Sequence, residues 1–195
     1  MPKKLLSELL LTRFTHDIAG GVGAIMNGCE LIAESMNDKD FLQEAVKVLN
    51  TSAQSVAARM RFYRLAFGSE SSDFSAANAS DITKKYIATL NRISLNWEPS
   101  GTEDYVLMRI MMILCLIAGT AVSRGGEITV YQDKVEASGK NAGLADNLAD
   151  IFSGKPDFTP DSLNIAAVLV SEYAKDGGYS LQVEEGQDKI TFWVR

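Results

Sequence analysis

The chain has 195 residues, of which 46% are hydrophobic and 23% charged, enough for one good-sized domain or two small ones with a packed core. Its 25 acidic and 19 basic residues give a net charge of −6, which argues against nucleic acid as the main partner, because phosphate binding requires clustered lysine and arginine. The most apolar stretch, 106–118, contains Arg109 and is too short to cross a bilayer. The N-terminus lacks a signal-peptide pattern, so we expect a soluble, cytoplasmic protein without a membrane partner.

The first third of the sequence, from Lys3 to Phe67, predicts two long helices. Apolar residues recur in each at steps of three and four, the pattern of helices packed lengthwise. In the first helix they are Leu11, Phe14, Ile18, Val22, Ile25, Cys29, Ile32 and Met36; in the second they are Phe41, Ala45, Val48, Ser52, Val56, Met60, Tyr63 and Phe67. The polar residues 37–40 predict a short turn, and hence an antiparallel helical hairpin.

A two-helix hairpin covers its apolar stripes on one side only. Pairing of two copies into a four-helix bundle would cover the other side, so we expect a homodimer. The alternative is that the hairpin packs on the rest of its own chain. Cys29 and Cys115 both fall in apolar helical patterns and predict two reduced core residues rather than a metal site.

The remaining sequence predicts alternating helices and strands. Residues 68–79 are rich in serine and alanine and predict a linker, which divides the chain into domains at 1–70 and 71–195. Beyond the linker we expect a helix capped by Ser80–Asp81 and ending near Asn91, a strand at 93–97, a helix at 103–122, strands at 127–131 and 135–138, a helix from Thr159 to about Lys175, and a hairpin of strands at 179–184 and 189–194. The predicted fold class is therefore α+β, with an N-terminal helical hairpin followed by an α/β sandwich.

His16 is the only histidine in the chain, and it lies two positions from both Phe14 and Ile18. At about 100° per residue this turns it away from the apolar stripe, toward solvent or a groove. A neutral imidazole has a free lone pair and can accept a phosphoryl group at cellular pH. A lone exposed histidine is usually an ordinary surface residue, so the case depends on its neighbours.

Those neighbours are an acidic residue and a run of small ones. Asp17 follows directly and can orient the imidazole or take part in proton transfer. Three glycines follow at 20, 21 and 23, although each costs roughly 1 kcal/mol in a helix relative to alanine. Helical spacing aligns His16 with Gly20, Gly23, Ala24 and Asn27 in one exposed strip, which would suit the docking of another protein's helix. Packing within the bundle is the alternative, and it is as plausible for Gly21.

Residues 16–31 (HDIAGGVGAIMNGCEL) resemble the helix-one signature of the ChpT-type bacterial histidine phosphotransferases: HDL, two small residues, then V-G-A-I-x-N-G-x-E-L. Residues 61–68 (RFYRLAFG) are similar to the same family's helix-two ending. Residues 125–130 and 165–194 resemble the ATP-binding domain of histidine kinases.

This resemblance implies a dimeric hairpin that carries the phosphorylated histidine, followed by a degenerate kinase-ATPase-like domain. It implies a phosphorelay protein that takes a phosphoryl group from the receiver domain of a hybrid histidine kinase and passes it to response-regulator receivers. Carried over, His16 is the phosphorylated residue, and Asp17 and Asn27 belong to its surroundings. We therefore expect His16 and Asp17 to be catalytic, and the partner to dock on the strip of Gly20, Gly23, Ala24 and Asn27 and on Arg13. We expect no cofactor or metal in this chain, with Mg²⁺ in the partner receiver.

The second domain departs from working kinases. The helix at 114–121 reads LCLIAGTA and lacks the asparagine that would hold Mg²⁺. The segment at 135–140 does not supply a D-x-G-x-G loop, and residues 159–162 replace the glycine-rich lid. We therefore expect no productive ATP binding. The rival interpretations are an ATP-dependent histidine kinase, which these departures disfavour, and a dimeric scaffold that binds receivers without transferring phosphate.

Overall fold

The computed structural model describes residues 3–34, 38–68, 75–98, 104–145, 147–155 and 158–195. The helices are α1 (Lys3–Glu34), α2 (Lys39–Phe67), α3 (Ala76–Ile87), α4 (Tyr105–Ala121), α5 (Leu148–Phe152) and α6 (Ile165–Asp176). The strands are β1 (Ile93–Trp97), β2 (Gly126–Val130), β3 (Lys134–Ser138), β4 (Leu181–Gly186) and β5 (Lys189–Val194). This order confirms the predicted fold class, a helical hairpin followed by helices on one mixed sheet.

Helix α2 of the hairpin begins earlier than the sequence predicted. The Asp38 side chain caps α2 by accepting a hydrogen bond from the Phe41 N–H at 3.1 Å. Residues 39 and 40, predicted as turn, therefore form the first turn of α2, while residues 36 and 37 lie outside the described part of the chain. The helix ends at Gly68, whose N–H donates to the Arg64 carbonyl at 3.0 Å.

The predicted linker at 68–79 is wrong at its C-terminal end. Ser75 caps α3, because its hydroxyl oxygen accepts from the Asn78 N–H, so the helix begins at Ala76 rather than at Ser80–Asp81. Ala79, in the first turn of α3, is fully buried. Residues 69–74 are outside the described residues.

The five strands form a sheet in the order β1-β2-β3-β5-β4. β1 and β2 are parallel, since α4 connects them, and the other neighbouring pairs are antiparallel. β1 has the predicted bounds, and β2 and β3 each begin one residue earlier than predicted. The last hairpin turns at 187–188, so β4 occupies 181–186 instead of 179–184.

α4 is the central element of the core. Every residue from Ile110 to Gly119 is buried, because the sheet lies on one side of the helix and α3 and α6 lie against it. In the N-terminal part of α4, Arg109 donates to the Ala66 carbonyl at 3.1 Å and to the Gly68 carbonyl at 3.0 Å. A cation near a helix C-terminus satisfies its last carbonyls, so this arginine ties α2 to the second half of the chain.

Three further predictions need correction or completion. The helix predicted from Thr159 begins at Ile165, because the Asp161 carboxylate first accepts from the N–H groups of Leu163 and Asn164 in a tight turn. The short helix α5 was not predicted. Cys29 was expected in the core but is exposed, whereas Cys115 is buried.

The hairpin and the second half of the chain share one continuous core. Phe62, Tyr63 and Ala66 of α2 belong to the same buried cluster as α4 and the sheet. Phe62 stacks on Tyr86 of α3 with ring centroids 4.0 Å apart. The side of the hairpin that faces the sheet domain is thus covered by the chain itself. Within the described residues, no helix combines the length and apolar character that crossing a membrane requires.

Candidate functional site

The imidazole of His16 projects from the middle of α1 and is 86% exposed. This agrees with its predicted position off the apolar stripe. Its Nδ1 faces the Oδ1 of Asp17 at 3.5 Å, a long contact for a hydrogen bond. A carboxylate beside Nδ1 favours the tautomer with the proton on Nδ1, which leaves the lone pair on Nε2.

The Asp17 carboxylate differs sharply in environment from the histidine beside it, because it is only 12% exposed. Arg13 Nε donates to its Oδ2 at 3.1 Å, and the Tyr63 hydroxyl donates to the same oxygen. Charge-assisted bonds of this kind are stronger than neutral ones. Asp17 is therefore anchored in the interior while its second oxygen remains directed at His16.

The backbone around Asp17 is braced by α2 and by two segments of the second half of the chain. Arg59 donates to the Asp17 carbonyl at 2.8 Å and to the Thr89 carbonyl, after α3, at 3.3 Å. Arg13 also donates to the Leu163 carbonyl, in the turn before α6, at 3.4 Å. His16 thus lies on a stretch of helix that is fixed from three sides.

Two tyrosines close this network on its buried side. Burial raises the pKa of Tyr63 well above its ordinary value, and it raises the pKa of Tyr86 to about 12. Both hydroxyls therefore keep their protons at cellular pH. Tyr63 can act only as a donor toward the Asp17 carboxylate under these conditions.

The glycines after His16 divide into two kinds. A Cβ placed on Gly20 or Gly23 would meet no atom of the described residues within 4 Å, whereas a Cβ on Gly21 would lie 2.5 Å from Val56 Cγ2. Gly21 therefore allows α1 and α2 to approach closely, while Gly20 and Gly23 leave open space beside the histidine. This difference matches the two interpretations that the sequence left open, namely packing within the bundle for Gly21 and an open strip for Gly20 and Gly23.

The remaining residues of the predicted docking set fall in different surroundings. Asn27 is exposed and Ala24 is half-buried, in line with an open strip. The Arg13 side chain, predicted to dock the partner, is only 13% exposed and is engaged with Asp17, at the i,i+4 spacing of a helical ion pair.

Sequence analysis missed three features of the site. It gave no role to Tyr63 or Arg59, and it did not identify Leu163, which is 76% exposed in the turn that contacts Arg13. The motif RFYRLAFG contains Tyr63 but offered no signal that its hydroxyl meets Asp17. These contacts join residues 42 to 150 positions apart, which spacing within one helix cannot reveal.

The second domain presents no magnesium ligand on the α4 segment 114–119, where a working kinase carries its asparagine. The α4 segment 114–119 is apolar and buried, so it presents no carboxylate or amide oxygen to a metal. Within the described residues, no three His, Cys, Asp or Glu side chains are grouped closely enough to hold a metal ion.

Comparisons with known proteins agree with this architecture. Residues 76–189 match the family model described as histidine phosphotransferase C-terminal domain. The protein phosphotransferase ChpT of Brucella abortus (strain 2308) is 25% identical over 202 residues, covering 96% of this chain and 93% of that protein.

Solved structures give the same result at the level of the fold. A structure described as a bacterial phosphotransferase superposes with a TM-score of 0.84 and 22% identity, covering 100% of this chain and 98% of the other. A histidine kinase from Burkholderia phymatum STM815 has a TM-score of only 0.34, too low to add to the argument. Because the family model spans more than half of the chain, this protein belongs to the histidine phosphotransferase family, as its ChpT-type signature predicted.

Proposed function

We propose that this chain is a phosphocarrier in which His16 accepts a phosphoryl group from the receiver aspartate of a hybrid histidine kinase and donates it to response-regulator receivers. The observation that carries the proposal is the exposed imidazole with an anchored carboxylate on its Nδ1 side. This arrangement leaves Nε2 as the nitrogen available to attack phosphorus.

The transfer step requires only the His16 imidazole, the Asp17 carboxylate and the aspartyl phosphate of the receiver. The Nε2 lone pair attacks the phosphorus of the aspartyl phosphate, a P–N bond forms, and the P–O bond to the receiver aspartate breaks to release its carboxylate. The imidazole ring becomes positively charged because Nδ1 still carries its proton. Asp17 Oδ1, beside Nδ1, stabilises this charge, and the reverse step returns the phosphoryl group to another receiver aspartate.

The partner supplies the rest of the chemistry. Phosphoryl transfer depends mainly on positioning and on neutralising charge. We propose that this chain brings no cofactor and that Mg²⁺ is held by the receiver domain. The apolar α4 argues against the rival function of an ATP-dependent kinase.

We further propose that the receiver docks along the strip formed by His16, Gly20, Gly23, Ala24 and Asn27. The open space at Gly20 and Gly23 supports this assignment, because a helix of the partner can approach the α1 backbone closely there. Arg13 is assigned instead to holding Asp17.

A homodimer is the assembly we propose. The hairpin leaves large apolar side chains exposed on both of its helices: Leu11, Val22, Met26, Leu31, Phe41, Val46, Val48 and Met60. Part of this surface is a groove between the helices lined by Leu11, Phe14, Met60 and Phe67. An exposed apolar groove is typical of an interface, and a second hairpin would complete a four-helix bundle.

The cytoplasm is the compartment we propose. Both cysteines of the chain are free thiols, as is usual for proteins of a reducing compartment. The receiver domains that the chain would serve must be in the same compartment.

A transfer assay tests the function. The purified protein is incubated with a phosphorylated receiver domain, and the expected result is acid-labile label on the wild-type chain and none on His16→Gln. Label on the chain from Mg-ATP alone would favour the kinase, and receiver binding without labelling would favour the scaffold.

A further inference from the structure

The Tyr63 hydroxyl contacts the Asp17 carboxylate next to the proposed phosphoryl acceptor. It lies 46 positions from Asp17 in the sequence, yet its hydroxyl donates to Asp17 Oδ2. Arg13 Nε donates to the same oxygen at 3.1 Å. Both donors therefore gather on one oxygen of the carboxylate, and the other oxygen, Oδ1, is the one that faces His16 Nδ1 at 3.5 Å.

The position of this hydroxyl is fixed by packing. The Tyr63 ring is 6% exposed and lies between Phe14 and Phe67, with centroids 5.2 Å and 5.4 Å away. A ring held on both sides cannot swing its hydroxyl away from Asp17. Because its burial also keeps the hydroxyl protonated, Tyr63 is a constant donor across the physiological pH range.

The other polar groups around the carboxylate do not replace this donor. From α2, Arg59 binds the Asp17 backbone carbonyl at 2.8 Å rather than the carboxylate. From α3, Tyr86 has its pKa raised first by burial and then by the negative charge of Asp17, an effect of charge and not of a hydrogen bond to the carboxylate. Arg13, on α1, is attached to the same helix as Asp17, so Tyr63 is the donor that fixes the carboxylate relative to α2.

We propose that Tyr63 is a positioning residue for phosphoryl transfer: its hydroxyl orients the Asp17 carboxylate so that Oδ1 holds the Nδ1–H tautomer of His16 and Nε2 keeps its lone pair. This inference rests on the proposed function, since it takes His16 as the phosphoryl acceptor. Its first consequence, the tautomer of the ring, can nevertheless be measured without any transfer.

The test uses the fact that His16 is the only histidine in the chain. Labelling with ¹⁵N-histidine gives one imidazole, whose two nitrogen signals report the tautomer populations at a pH where the ring is neutral. We expect the Nδ1–H form to predominate in the wild type and to lose population in Tyr63→Phe. An unchanged tautomer ratio in Tyr63→Phe would overturn the proposal.

A matched control removes the same kind of bond elsewhere. The Tyr179 hydroxyl donates to Asp104 Oδ2 at 2.6 Å in the second half of the chain. Tyr179→Phe should leave the tautomer ratio and the transfer rate at wild-type values. An equal change in Tyr63→Phe and Tyr179→Phe would mean a general structural effect and would refute a positioning role.

The kinetic test separates positioning from docking. Tyr63→Phe should lower the maximal transfer rate by about tenfold, which corresponds to a barrier about 1.4 kcal/mol higher, with no change in the receiver concentration at half-saturation. A change confined to the half-saturation value would contradict the proposal.

Asp17→Asn is the second variant, because it keeps the side-chain size and does not disturb the aromatic packing. It should show the same loss of the Nδ1–H form, and adding Tyr63→Phe to it should cause no further loss, since both act through one contact. Additive losses would overturn the inference. If the wild type accepts no phosphoryl group at all, the proposed function fails, whereas the tautomer ratios still decide the role of Tyr63.

Discussion

Replacing Gly20 and, separately, Gly21 by alanine makes the same chemical change at adjacent positions of α1. Alanine stabilises a helix interior relative to glycine by about 0.8–1 kcal/mol. At Gly20 the added methyl group meets no described atom within 4 Å, so this gain should appear in full. At Gly21 the methyl group would lie 2.5 Å from Val56 Cγ2, and overpacking of this kind costs typically about 1–3 kcal/mol.

The two variants should therefore differ in stability, with Gly20→Ala above the wild type and Gly21→Ala at or below it. For a chain of this size, a change of 1 kcal/mol shifts the melting temperature by roughly 2–4 °C. Gly20→Ala should melt about 2–4 °C above the wild type, while Gly21→Ala should melt at the wild-type temperature or up to several degrees below it.

Calorimetric melts at one protein concentration measure both effects, since the melting temperature of the proposed dimer would depend on concentration. Destabilisation by Gly20→Ala would refute the assignment of open space beside His16. Stabilisation of equal size by both substitutions would refute the close approach of α1 and α2 at Gly21.

Four other predictions follow from the same structure. Gly23→Leu should melt at or above the wild-type temperature but transfer phosphate about tenfold more slowly, as the loss of about 1.4 kcal/mol of docking would require; wild-type transfer kinetics in this variant would exclude the docking strip. Met60→Glu should yield a folded monomer in light-scattering measurements, because it places a charge on the exposed apolar face, and a dimer of unchanged affinity would rule out that face as the interface. Titration calorimetry with Mg-ATP should detect no binding up to about millimolar concentration, and micromolar affinity would restore the kinase hypothesis. Tyr86 has a pKa of about 12 in the folded state, so above pH 10 it keeps a proton that it loses in the unfolded state. Its contribution to stability is therefore fully present below pH 10 and should fall by about 1.4 kcal/mol per pH unit between pH 10 and 12. Urea titrations of Tyr86→Phe over this range should show a shallower loss of stability.

The sequence predicted those elements whose patterns are strong and local. β1 alternates between inward and outward residues over 93–97 and was predicted with its observed bounds. The two hairpin helices carry long apolar stripes and were also predicted. Both signals depend on spacing within one element, which a sequence displays directly.

The segment after the hairpin shows where such patterns fail. Ser75, Ser80 and Asp81 are all possible helix caps, and composition does not distinguish between them. Ser75 is the cap that the structure shows, and Ala79, in the first turn of α3, is fully buried. Burial arises from tertiary packing, which composition does not display, so the linker was predicted too long.

The functional site was likewise predictable only where its geometry lies within one helix. The exposure of His16 and the i,i+4 relation of Arg13 to Asp17 follow from the geometry of one helix. The partners that anchor Asp17, namely the Tyr63 hydroxyl and the Arg59 guanidinium, come from α2. Their approach depends on how the hairpin folds, and nothing in their local sequence distinguishes them from other buried or surface side chains.

A reconstituted relay between two receiver domains tests the central claim most directly. One receiver, carrying labelled phosphate on its aspartate and freed of its kinase and of ATP, is mixed with a second, unlabelled receiver, with or without this protein. Label should reach the second receiver only when wild-type protein is present, and acid-labile label should appear on His16 in between. With His16→Gln, the label should stay on the first receiver. Equal delivery of label to the second receiver by His16→Gln would contradict the account.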